Sequence, residues 1–226
     1  MDLHLQGRVV LVVGGNGYIG RAVVDRLRQE GATAVAASRH ASDGIVLDAA
    51  VDESVEAGLD EVRTAHGRLD GLVVTAAPSA RTLDPERNSD PAQVREAFDA
   101  KAMTFLRVAN AALPTMMSAG WGRIVGISGQ NAFVTGNIAG SLRNAALILA
   151  AKNLADAVVG TGVTVNTVSP GIVTDDPVAE VDPGRSGQCT PDQVASVVTY
   201  LLSPLAGAVS GESIAVGHRV RGVTGL

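Results

Sequence analysis

Short, continuously apolar, β-branched runs alternate with longer segments of helical period from one end of this chain to the other, and that rhythm constrains the fold more than any other feature. The strand-like runs are 8–13, 33–37, 45–47, 71–75, 123–127, 163–168 and 213–216, seven in all. Most are apolar at successive positions rather than at every second one, so both faces of the sheet need cover. Strand and helix alternating in this way imply a parallel sheet with right-handed crossovers and helices on both faces. The expected fold class is therefore α/β: one doubly wound, mostly parallel seven-stranded sheet, with residues 1–226 forming a single domain. Aromatics are only 3% of the chain, so Ala, Val, Leu and Ile must build its core.

Turn and cap residues mark the helices. Segments 17–30 and 52–66 are periodic and end at Gly31 and Gly67, residues suited to a left-handed helix terminus. Asp90, Pro91 and Gln93 predict a capping box, with a helix running on to about residue 118 and a bend at Pro114. Thr190, Pro191 and Gln193 repeat the same signal, and Ser203-Pro204 stops that helix. Segment 138–160 is a long helix whose middle, 145–151, is apolar nearly all round and so needs packing on both sides.

Ligands of such sheets bind beyond the carboxyl ends of the strands. After the first strand comes Gly14-Gly15-Asn16-Gly17-Tyr18-Ile19-Gly20, and then a helix. Glycines at 14, 17 and 20 leave no Cβ where backbone would meet a diphosphate, and the helix amino end offers N–H groups and a favourable dipole. A strand before it and a helix after it make this a dinucleotide-binding turn rather than a packing turn. NAD specificity calls for an acid at the end of the second strand, to bond the ribose 2′-hydroxyl. Here that position reads Ala37-Ser38-Arg39-His40. Ser38 and Arg39 suit a 2′-phosphate, so the expected cofactor is NADP, with NAD less favoured; a solvated surface arginine is the alternative. Asp48 stands where an adenine amino group would find an acceptor, or simply where a turn precedes a helix.

These segments together resemble the short-chain dehydrogenase/reductase family over nearly the whole chain. The glycine turn, Leu69 to Ala77, Gly122 to Ser128, Val165 to Gly171 and Gly211 to Gly217 are similar to its successive strand-and-turn motifs. The resemblance implies a Rossmann-type fold and hydride transfer between a nicotinamide and a carbonyl or alcohol carbon. It also implies that Ala76, Pro170, Gly171, Ile172 and Thr174 lie beside the nicotinamide half of the cofactor. Members of the family use a Tyr-x-x-x-Lys pair, a serine and an asparagine. Aligned on Ala145-Ala146-Leu147, the tyrosine position holds Gly140, the lysine position Asn144, the asparagine position Lys101 and the serine position Gly129. Tyr18 and Tyr200 are the only tyrosines and Lys101 and Lys152 the only lysines, so no other pair has the spacing. Three residues remain as catalytic candidates. Ser128 is a hydroxyl able to donate to a substrate oxygen, or merely a strand-end turn. Lys101 is an ammonium able to fill the vacated space, or a solvated or salt-bridged helix lysine. Asn144 is an amide able to bond ribose or substrate.

Two functions follow from this reading. One is an NADP(H)-binding oxidoreductase or tailoring enzyme for a small carbonyl or alcohol substrate, with a proton relay through Ser128, Lys101 or water. The other is a relative that keeps the fold but performs redox-neutral chemistry, or none, as a binding or structural subunit. The helix from Pro91 and the apolar helix 138–160 resemble the family's dimer surface, so a dimer or tetramer is expected. The net charge of -5 and the scarcity of aromatics argue against a nucleic-acid partner. No apolar stretch is long enough to span a bilayer. The four histidines have no metal-ligand spacing, and no Gly-x-Ser-x-Gly elbow is present. The first residues lack the pattern of a secretory leader, and with Cys189 as the one cysteine a reduced, cytoplasmic setting is expected.

Overall fold

The computed structural model describes residues 2–41, 43–79 and 82–224. Seven parallel strands form one sheet in the order β3-β2-β1-β4-β5-β6-β9. They are β1 (Val9–Val13), β2 (Thr33–Ser38), β3 (Ile45–Val46), β4 (Gly71–Val74), β5 (Gly122–Ile127), β6 (Val163–Pro170) and β9 (Ser213–Val216). The two short strands β7 (Ile172–Val173) and β8 (Gln188–Cys189) pair separately, and the apolar pattern did not announce them. Every residue of β1, β4, β5 and β6 is buried, as a sheet covered on both faces requires.

Five α-helices among the described residues cover the two faces. On one side, α2 (Asp52–His66), α4 (Thr104–Ser118) and α5 (Ile138–Ala157) seal a core with Leu59, Phe105, Met116 and Leu147. On the other, α1 (Tyr18–Gln29) and α6 (Pro191–Leu202) pack Val23, Leu27, Val198 and Leu201 against the sheet. The order of connection reverses beside β1, which lies between β2 and β4. That reversal opens a crevice at the carboxyl ends of the central strands.

Local signals and structure part company at α3 (Pro91–Phe98). The Asp90 side chain accepts from the Ala92 N–H, but no capping box forms. Gln93 is buried instead and braces the preceding loop, bonding the backbone N–H and carbonyl of Asp84 and the carbonyl of Arg87. Thr190 and Gln193 do form the reciprocal box at α6. The predicted helix from Pro91 to about residue 118 is not one α-helix. A π-helical turn, Asp99–Met103, separates α3 from α4, and Pro114 lies within α4. Such turns widen the helix locally and occur often at functional sites; this one carries Lys101.

Candidate active site

A cleft of about 1190 Å³ runs across the carboxyl ends of the strands. It exceeds the roughly 300–1,000 Å³ of most small-molecule pockets. One end is formed by the glycine turn. Gly14 has φ +87°, a conformation that favours glycine, and a Cβ there would overlap Thr75 Oγ1. Thr75 holds the turn against β4 by donating to the carbonyls of Gly14 and Val13 at 3.0 and 3.2 Å. A Cβ on Gly20 would collide with the Gly14 carbonyl, so the helix can approach the turn only without one. Helix α1 starts from Gly17 in extended backbone, with no side-chain cap and no acid in its first turn. Its positive amino end is thereby left facing the cleft, which fits an anionic diphosphate. Gly14, Gly17, Tyr18, Ile19 and Gly20 line the cleft. Asn16 does not; its carbonyl accepts from the Arg21 guanidinium.

At the next section of the wall stand Ser38, Arg39 and Asp48. Arg39 is exposed and has no hydrogen bond or ion pair among the described residues. Asp48 is half-engaged, since its Oδ1 accepts from the Ala50 N–H at 3.0 Å. The turn reading and the acceptor reading of Asp48 are thus compatible, because its second oxygen is not used in that bond.

The inner end holds the three catalytic candidates in one cluster. Lys101 is 8% exposed, and its Nζ donates to the Ser128 carbonyl at 2.8 Å. Burial, aided by the nearby Arg143 charge, lowers its pKa from the ordinary 10.5 to about 7. It is therefore neither solvated nor salt-bridged. Ser128 is buried, and its hydroxyl donates to the Asn144 carbonyl at 3.0 Å. The single hydroxyl proton is committed to helix backbone, which corrects the expectation of a donor aimed at substrate. Asn144 donates from Nδ2 to the Gly140 carbonyl at 2.9 Å, while its Oδ1 is buried without a partner among the described residues. No side chain projects from Gly140, and a Cβ added at Gly129 would crowd the Asn144 amide at 3.2 Å.

Sequence reasoning missed Arg143. It is 3% exposed, lines the cleft and donates from Nη1 to the Pro78 carbonyl at 3.2 Å, while its Nε has no partner among the described residues. The available signal was one guanidinium three residues after Gly140, the single charged residue between positions 138 and 151.

The outer rim comprises Ala76, Pro170, Gly171, Ile172 and Thr174, which all line the cleft. Backbone bonds fix it: Gly171 N–H to the Val216 carbonyl at 2.9 Å and Thr174 N–H to the Cys189 carbonyl at 3.0 Å. From the same rim Asp175 accepts a 2.6 Å bond from the Tyr18 hydroxyl, tying the loop after β7 to the glycine turn. His218 is exposed and does not line the cleft. Among the described residues no group of three or more His, Cys, Asp or Glu side chains could hold a metal ion. No helix among the described residues is long and apolar enough to cross a membrane.

Similarity to known proteins agrees with this geometry. A family model described as enoyl-(acyl carrier protein) reductase matches residues 16–218. The chain is 30% identical to 3-oxoacyl-(acyl-carrier-protein) reductase FabG of Vibrio harveyi, over 95% of this chain and 97% of that protein. It is 29% identical to the FabG of Aquifex aeolicus, over 96% and 98% of the two chains. The ligand-free aldohexose dehydrogenase of Thermoplasma acidophilum shares the fold with a TM-score of 0.82, at 24% identity, over 100% of this chain and 99% of that one. With a nearly full-length family match, end-to-end relatives and a cleft at the strand termini, the chain belongs to the short-chain dehydrogenase/reductase family.

Proposed function

We propose that this protein is an NADP(H)-dependent oxidoreductase for a small carbonyl or alcohol substrate, with Lys101 taking the proton-donating role that a tyrosine has in its relatives. The observation that carries the reading is the buried Lys101 ammonium at the inner end of the cleft, beside Ser128. The relatives' names describe reduction of a 3-oxo group, which supports carbonyl chemistry as the reaction class.

Gly14, Gly17, Tyr18, Ile19 and Gly20 would hold the diphosphate, and Ser38 and Arg39 the 2′-phosphate. Asp48 would take the adenine, and Ala76, Pro170, Gly171, Ile172 and Thr174 the nicotinamide half. When bound, the coenzyme supplies or accepts the hydride. The chain itself must then place a proton on the substrate oxygen, or remove one. A group with a pKa near the working pH does this best, and Lys101 at about 7 meets that condition. The Ser128 carbonyl holds the ammonium in place, and the Ser128 hydroxyl locks strand end to helix by its bond to Asn144. Asn144, with an unpartnered buried Oδ1, offers an acceptor to a ribose or substrate hydroxyl.

NADPH consumption against a panel of small ketones and aldehydes, run beside a direct NADPH titration, tests the reading. Turnover by the native chain, reduced about 10²–10⁴-fold in Lys101→Met with NADPH binding kept, is the expected result. A second reading, a cofactor-binding subunit without hydride chemistry, is favoured by the commitment of the Ser128 hydroxyl to helix backbone. Binding of NADPH with no turnover of any substrate would establish it. The exposed Ile138, Leu142 and Leu149 on α5 support self-association into a dimer or tetramer.

A further inference from the structure

We infer that the inner end of the cleft is a carboxylate-binding site, so that the substrate is a small oxo acid or hydroxy acid whose carboxylate is received by Arg143 beside Lys101. Two basic side chains, Lys101 and Arg143, are buried there, at 8% and 3% exposure. The only buried carboxylate among the described residues is Asp70, and it is already paired with Arg8 and Arg68. No ion pair to Lys101 or Arg143 exists among the described residues. Their hydrogen bonds go to neutral carbonyls, those of Ser128 and Pro78.

Burying a cation without a counter-charge is costly, and a buried guanidinium N–H without an acceptor adds to that cost. Arg143 bears both, since its Nε is buried and has no partner among the described residues. Both side chains line the cleft, and an anion bound there would supply the counter-charge that neither has among the described residues. Among anions, a carboxylate matches the planar fork of a guanidinium. The cleft's own carboxylates lie elsewhere: Asp48 belongs to the turn after β3, Asp175 is engaged by Tyr18 on the outer rim, and Asp176 is exposed beside Asp175.

The inference rests on the oxidoreductase reading for what the anion is, but not for whether one binds. The test is calorimetry with lactate and 3-hydroxybutyrate, each beside its neutral primary amide, in the presence and absence of NADP⁺. At least one acid should bind about tenfold or more tightly than its amide, the worth of a hydrogen bond to a charged group. That preference should vanish in Arg143→Met and shrink in Lys101→Met, with melting curves showing that both variants fold. Equal binding of acid and amide by the native chain would overturn the inference, and so would an undiminished preference in folded Arg143→Met. If Arg143→Met does not fold, Lys101→Met decides, because an apolar chain of similar volume replaces a buried ammonium there. An unchanged preference in that variant would then overturn the inference. Acid preference with no NADP⁺ uptake would sink the oxidoreductase reading alone.

Discussion

Replacing Lys101 by Met should change stability in opposite directions at low and high pH. In the folded chain burial holds the Lys101 pKa near 7, against 10.5 when unfolded. Between those values the unfolded state carries the extra proton, so the native chain gains stability as pH rises, by about 1.4 kcal/mol per pH unit. Below pH 7 the full cost of keeping the ammonium buried is present, about 5 kcal/mol from the same relation. Methionine removes that cost but leaves the Ser128 carbonyl without its donor, a loss of about 1–3 kcal/mol. At pH 6 the variant should therefore be more stable by about 3 kcal/mol, which for a chain of this size is a melting rise of roughly 6–12 °C. The advantage should shrink through pH 8 and disappear near pH 9, where the residual charge cost equals the lost hydrogen bond. Urea unfolding of both chains from pH 6 to pH 9 measures this directly, because titrations elsewhere cancel in the difference. Parallel stability curves would refute the reasoning, since they would mean that Lys101 titrates alike folded and unfolded.

Three further outcomes are expected. Gly20→Ala places a methyl against the Gly14 carbonyl, so it should weaken NADPH binding at least tenfold and cost about 1–3 kcal/mol in thermal unfolding. Arg39→Ala should weaken NADPH by about tenfold or more, the worth of charged hydrogen bonds, while NADH affinity in parallel titrations stays the same. Leu149→Glu puts a charge on an α5 side chain that is 62% exposed, and light scattering should show smaller particles than the native chain with the melting temperature of the isolated subunit little changed.

Patterns carried within a few residues were open to reading from the sequence alone. Most of the buried strands are apolar runs, and strand alternating with helix implies parallel pairing, so the parallel seven-stranded sheet followed. The glycine turn announces itself because backbone close approach needs the missing Cβ atoms, and Gly14 and Gly20 confirm that with the overlaps a Cβ would make. The Thr190–Gln193 box was legible for the same local reason. An identical-looking signal at Asp90 and Gln93 failed, because a loop nearby in space offered Gln93 three backbone partners. Around the inner end of the cleft, tertiary packing decided burial and hydrogen-bond partners. Residue type alone leaves a lysine free to be solvated or buried; the π-turn and its packing against β5 and α5 bury Lys101 and shift its proton affinity. The partner of the Ser128 hydroxyl lies 16 residues away, and that of the Tyr18 hydroxyl 157 residues away. Burial and charge pairing depend on which elements meet, and for Lys101 and Arg143 no local pattern encodes that meeting.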